Sequence, residues 1–132
     1  MQNIPSSHED LLADETRAFV YLATSMRDGS PQCTPVWFNI EGEHILLNSA
    51  RGRVKDRNMR TRPSVALCIA DPRNAYRYIQ LRGKIVEVTQ EGAEEHIDAL
   101  NFKYQGRPKY PFHDPGQPRV IYKFRPEHVD AH

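Results

Sequence analysis

The feature that most constrains this chain is its punctuation. Apolar, β-prone runs of mostly five to nine residues recur along it, and a turn signal cuts off nearly every one of them. Residues 18–24 form the first run, and Arg27-Asp28-Gly29-Ser30 turns the chain into a second at 32–40. Glu41-Gly42 turns it again into a third at 44–48, so these three read as an antiparallel meander. A fourth run covers 64–70 and a fifth, longer one covers 76–88. In the fifth, Ile79, Leu81 and Ile85 share one face before Val86 and Val88 break the phase, which predicts a bulge or sharp bend near Gly83. The last run is 120–124. Six antiparallel strands with few helices predict a mainly β domain, a small closed or half-closed barrel. A ferredoxin-like α+β fold is the alternative, disfavoured by three hairpin strands preceding any substantial helix.

Helical signals are sparse. Ser6-Ser7-His8-Glu9 has capping-box spacing ahead of Leu11 and Leu12, and predicts a short opening helix. Ala93, Ile97, Leu100 and Tyr104 form one apolar stripe behind a Glu-rich first turn; this predicts a packing helix placed away from any ligand. Residues 105–118 hold four prolines and two glycines and read as a rigid loop. At 132 residues the whole chain, 1–132, is expected to be a single domain.

Charge narrows the function. Lys and Arg (18) nearly balance Asp and Glu (17), so no global field collects nucleic acid, and no apolar run approaches the ~20 residues of a spanning helix. The polar, acidic start is unlike a targeting peptide. Cys33 and Cys68 sit in apolar strand runs and are expected to be reduced core thiols of a cytoplasmic protein. The histidines lack zinc spacing, so no metal is expected. No nucleophile elbow, P-loop or Rossmann glycine set occurs, so an enzymatic activity would have to use a bound cofactor. The local exception to charge balance is 51–62, where Arg51, Arg53, Lys55, Arg57, Arg60 and Arg62 crowd into twelve residues. It reads either as a solvated face or as an anion site. A strand end, a Gly52 turn and a helix start would then offer free N–H groups, with Arg53 and Lys55 as counter-charge. A nucleic-acid track is the weaker reading, because no aromatic platform surrounds the charges. In Thr34-Pro35-Val36-Trp37, a proline inside a strand frees backbone groups for a flat ligand, and Trp37 could stack on it or simply fill the core.

Several of these residues carry a family resemblance. Gly29-Ser30-Pro31-Gln32-Cys33-Thr34-Pro35-Val36-Trp37-Phe38 resembles the second strand of the pyridoxamine 5′-phosphate oxidase-like split β-barrels. The likeness continues through Asn48-Ser49-Ala50-Arg51-Gly52-Arg53-Val54-Lys55-Asp56-Arg57-Asn58, Asp71-Pro72, Tyr76-Arg77-Tyr78-Ile79 with Gly83, and Arg125-Pro126-Glu127-His128-Val129. It is most similar to the small flavin/deazaflavin oxidoreductases described as coenzyme F-420-dependent. The resemblance implies an FMN-binding type of split barrel, a homodimer with the cofactor cleft between subunits, and hydride transfer between the cofactor and a small unsaturated organic substrate. It places Lys55 and Arg53 on a phosphate, Asn48 and Ser49 on the ribityl side, and Thr34 to Trp37 along the ring. Gln32, Arg51, Asn58, Arg77 and Tyr78 complete the implied cofactor-binding set.

Tyr78 stands where the classical oxidase has a flavin-contacting glutamine, and the oxidase's C-terminal Arg-x-His element is not matched; pyridoxine phosphate is therefore not the expected substrate. Coenzyme F-420, with its carboxylate-rich tail, is preferred to FMN because Arg51, Arg57, Arg60 and Arg62 could meet the extra charge. No catalytic side chain is indicated. The rival from another class is a non-catalytic flavin, deazaflavin or haem binder of the same fold.

Overall fold

The computed structural model describes all 132 residues. Its strands are β1 (Val20–Ser25), β2 (Pro31–Val36), β3 (Phe38–Glu41), β4 (His44–Ala50), β5 (Ser64–Asp71), β6 (Asn74–Thr89) and β7 (Arg119–Ala131). Helix α1 (Val54–Thr61) joins β4 to β5, and α2 (Ala93–Gln105) precedes β7. All seven strands form one antiparallel sheet in the order β2-β1-β5-β6-β7-β4-β3.

The seventh strand comes from a break inside the run expected to be one strand, 32–40. Trp37 alone separates β2 from β3, yet β2 pairs with β1 while β3 pairs with β4, at opposite edges of the sheet. One residue spans only about 3.5 Å, so the sheet has to curl until its two edges meet at Trp37. The expected three-strand meander is accordingly two hairpin pairs joined by a corner, and the architecture is a split half-barrel.

Its inner face is a continuous apolar core in which Phe38, Tyr122 and Phe124 are fully buried. The bend expected near Gly83 is present, with register shifts on both sides of it. A Cβ at Gly83 would lie 2.1 Å from the Arg125 carbonyl oxygen, so the close approach of β6 and β7 requires glycine there.

Other boundaries moved for identifiable reasons. The capping box does not form: Pro5 occupies the position before the first turn, Ser6 makes no capping bond, and Ser6–Leu12 is a 3-10 turn. Strand β7 runs seven residues past Phe124, because the polar stretch to Ala131 pairs with the first half of β6 through its backbone. Neither cysteine is in the core. Cys33 is exposed and Cys68 half-buried, both unpaired; they alternate with the inward residues Thr34 and Leu67 and so lie on the outer face, beside Tyr21 and Ala23. Helix α2 buries Ala93, Ile97 and Leu100 against the outside of β4 and β7, where Leu46 is also buried. No helix is long and apolar enough to cross a membrane.

Candidate functional site

The basic segment divides by the acceptors within reach. Arg57 Nη1 donates to the Gly52 carbonyl and Arg51 Nη1 to Gln90 Oε1. Arg60 Nε donates to Asp56 Oδ1 at 2.9 Å, and Arg62 donates to the Ser25 carbonyl and to Asn58 Oδ1. The four arginines expected to serve a cofactor's extra charge are thus bonded within the fold. Asp56, 2% exposed, organises this turn by also accepting from the Gly52 N–H and the Tyr122 hydroxyl. Burial alone would raise its pKa; those hydrogen bonds and the Arg60 guanidinium outweigh it and lower it.

Arg53 and Lys55 are different. Neither has a carboxylate partner, and both line a cavity of about 760 Å³ with Pro35, Val36, Trp37 and Ser49. Lys55 Nζ reaches across to Thr34 Oγ1 on β2 at 3.2 Å. Partial burial lowers the Lys55 pKa, and the Arg53 and Arg119 cations push the same way. The Ser49 hydroxyl is enclosed on the inner face of β4, on the side of Leu47 and Val120, without any hydrogen-bond partner, an arrangement that normally costs about 1–3 kcal/mol. Trp37 stacks on Tyr104, with ring centroids 5.1 Å apart and planes 9° apart, and Tyr104 stacks in turn on Phe19. One Trp37 face is therefore taken by the protein, while the residue still borders the cavity.

The opposite wall was not anticipated. Helix α2, expected to pack away from any ligand, contributes Ile97 and Asn101 to the cavity, and the loop after it contributes Arg107, Lys109, Tyr110 and Phe112. Side chains of α2 hold that loop down. Asn101 Nδ2 donates to the carbonyls of Arg107 and Lys109, and Asp98 Oδ1 accepts from the Tyr110 N–H. His113 bridges Glu94 and Asp98 at 2.7 Å each, and these carboxylates raise its pKa. From β7, Arg119 enters the cavity with only 8% of its surface exposed. Its surroundings have no local sequence signal, which is why Arg119 was missed.

Thr34, Pro35, Val36, Trp37, Asn48, Ser49, Arg53 and Lys55 are thus brought together, Thr34 through its bond to Lys55. The other implied residues lie outside the cavity lining. Gln32 accepts from Thr24, and Asn58 donates to Thr24 and Met26. Arg51 is tied to Gln90. Arg77 is clamped between Asp10 and Asp71, and Tyr78 stacks on His132 at 5.0 Å.

The sequence pattern of the pyridoxamine 5′-phosphate oxidase family matches residues 6–132. The chain belongs to that family. Among solved structures, this family member is similar to an F420 reductase at 33% identity and a TM-score of 0.84, covering 96% of this chain and 98% of that one. A conserved hypothetical protein from Mycobacterium tuberculosis superposes with a TM-score of 0.74 at 20% identity (97% and 84% covered). General Stress Protein 26 from Bacillus anthracis superposes at 0.63 with 15% identity (94% and 93% covered). These last two share the fold. No curated protein sequence matches the chain. The architecture is that of flavin and deazaflavin oxidoreductases of the split-barrel type.

Proposed function

We propose that the cavity binds a phosphate-bearing flavin-type cofactor, coenzyme F-420 in preference to FMN, and that the protein is an oxidoreductase acting on a small unsaturated organic substrate. The observation that carries this is the pair of cations at the cavity, half-buried Lys55 and exposed Arg53, neither with a carboxylate partner. Two uncompensated cations side by side are what an anionic oxygen group would satisfy. When bound, the cofactor supplies the hydride chemistry. Arg53 and Lys55 hold its phosphate, the backbone of Thr34 to Trp37 lies along the ring, and α2 with Tyr110 and Phe112 limits water at the other side. The preference for the deazaflavin rests on the likeness to the F420 reductase and on Arg107 and Lys109, further cations at the cavity wall.

The reading includes a homodimer. Phe19 and Tyr21 are more than 40% exposed and adjoin the small outer face of Ala23, Cys33 and Cys68, a surface suited to a second copy. Light scattering on the cofactor-bound protein is expected to give a dimer, and a cofactor-loaded monomer would count against this element.

Lys55→Ala tests the site. Removing a desolvated charge-assisted contact should weaken FMN or F-420 binding roughly ten- to a hundredfold, leaving riboflavin affinity and the fold unchanged. Equal affinities of variant and wild type for the phosphorylated ligands end the phosphate assignment. Tight cofactor binding with no turnover of any reductant would favour the non-catalytic binder.

A further inference from the structure

Arg119 is a buried arginine without a counter-ion. Its Nε donates to Asn48 Oδ1 at 2.8 Å, and its guanidinium sits 5.2 Å from the Tyr110 ring centroid. Glu94 Oε2 accepts from the Arg119 backbone N–H at 2.7 Å, but no carboxylate lies within ion-pair distance of the guanidinium, and Nη1 and Nη2 have no hydrogen-bond partner. They are absent from the fully enclosed unpartnered atoms, of which Ser49 Oγ is the sole example, so they open into the cavity. The end of the guanidinium that remains free is the fork suited to phosphate or carboxylate.

What aims that fork is a chain of side chains from three other elements. Asn48 Nδ2 donates to the Ala93 carbonyl at 3.1 Å and to His96 Nδ1 at 3.0 Å. Its orientation is forced from both ends, because Arg119 Nε can only donate and the Ala93 carbonyl can only accept. His96 Nδ1 must then accept, so Nε2 carries the hydrogen and donates to Asn39 Oδ1 at 2.7 Å. A proton added at Nδ1 would face the Asn48 amide hydrogens, so the chain is consistent with one protonation pattern only.

We propose that Arg119 is an anion-binding residue of the cleft additional to Arg53 and Lys55, and that Asn39, His96 and Asn48 are positioning residues that aim it. Its ligand is an anionic oxygen group of the bound cofactor, either the phosphate or a carboxylate further along. This deepens the flavin/deazaflavin reading and rests on it. An arginine kept only for packing would not need its terminal nitrogens left free in a cavity that already holds unpaired cations. Those like charges oppose its burial until an anion arrives.

Titration of wild type, Arg119→Gln and Arg119→Lys with FMN, coenzyme F-420 and riboflavin decides the matter. Arg119→Gln is expected to lose about ten- to a hundredfold in affinity for a phosphorylated ligand, with riboflavin unchanged. Loss for both FMN and F-420 identifies the phosphate as the partner; loss for F-420 alone identifies a tail carboxylate. Arg119→Lys, which keeps the charge without the fork, should fall between. Unchanged binding of both ligands to Arg119→Gln overturns the proposal.

The aiming chain has its own readout. Asn39→Leu should lower anion affinity in the wild-type background and leave it unchanged in the Arg119→Gln background, a coupling that general destabilisation would not produce. Wild-type affinity for Asn39→Leu overturns the positioning role. If wild type takes neither cofactor, the functional reading fails separately. The receptor is then read from thermal stabilisation by inorganic phosphate, expected in wild type and lost in Arg119→Gln; no stabilisation of wild type overturns it as well.

Discussion

The basic segment 51–62 and the loop 106–118 make opposite use of their charges. The segment carries six cations, but four are satisfied by acceptors of its own fold: Gln90, the Gly52 carbonyl, Asp56, and the Ser25 carbonyl with Asn58. The loop carries few cations and looks like a proline-stiffened connector, yet Arg107, with no side-chain acceptor, and the largely exposed Lys109, held only by an ion pair to Asp98 at 3.4 Å, both border the cavity. Charge density along a sequence therefore says little about charge available to a ligand. What decides availability is whether an acceptor lies within reach, and a helix beginning beside a buried Asp56 provides one.

The comparison can be broken at several points. The largest effect is expected from Asp56→Ala. It strands the Gly52 N–H, the Tyr122 hydroxyl and the Arg60 guanidinium together, and loss of one partner from such a buried set costs about 3–5 kcal/mol. Denaturant unfolding should show that loss, and near-wild-type stability would mean that the segment's cations are not structurally committed.

Next is acid. His96 is buried with its pKa lowered from 6.5 to about 4, chiefly by burial and further by Arg119, with Glu41 opposing. The unfolded state binds the extra proton first, so stability is complete above pH 6.5 and falls as the pH drops toward 4. The lost contribution is roughly 3 kcal/mol. His96→Leu should flatten that slope in a pH series of melting curves; an unchanged slope would place the acid sensitivity elsewhere.

A smaller effect separates the two regions directly. Arg107→Gln combined with Lys109→Gln should weaken F-420 binding about tenfold, on the scale of one charge-assisted contact. Arg57→Gln, from the more basic segment, should leave it unchanged. If the two variants behave alike, the contrast collapses. The smallest effect concerns the tether of the loop. The carboxylates of Asp98 and Glu94 raise the His113 pKa, so its contribution is full below about pH 6.5 and fades as the pH rises through the folded value. Limited proteolysis within 106–118 should accelerate with rising pH in wild type, and His113→Gln should remove that dependence.

Much of the fold was legible, because strands that bury one face must keep their apolar runs short and their turns polar. The break at Trp37 was not, since Val36-Trp37-Phe38 passes through it without any turn residue. The second half of β7 was invisible for a different reason: Arg125 to Ala131 are mostly exposed and pair through backbone alone. In the site, the segment from Asn48 to Lys55 could be read from its local chemistry. Arg119 and Tyr110 could not, because they meet the other wall only through the packing of α2. The acceptors that engage Arg51, Arg57, Arg60 and Arg62 were not legible, because a sequence displays donors but not the carbonyls that will meet them.

The strand order also bears on how the protein is made. The hairpins β1–β2 and β3–β4 emerge early during synthesis, yet they share no pairing with each other and flank a spine, β5-β6-β7, built from the later half of the chain. Until β7 is complete, β4 lacks its principal neighbour and the two early hairpins have nothing common to dock on. Non-local pairing of this kind slows folding and leaves sheet edges open in the interim. Because β7 also delivers Arg119, the proposed anion-binding cleft depends on the strand that follows the other six in chain order, and a nascent chain holds that cleft incomplete until β7 is in place.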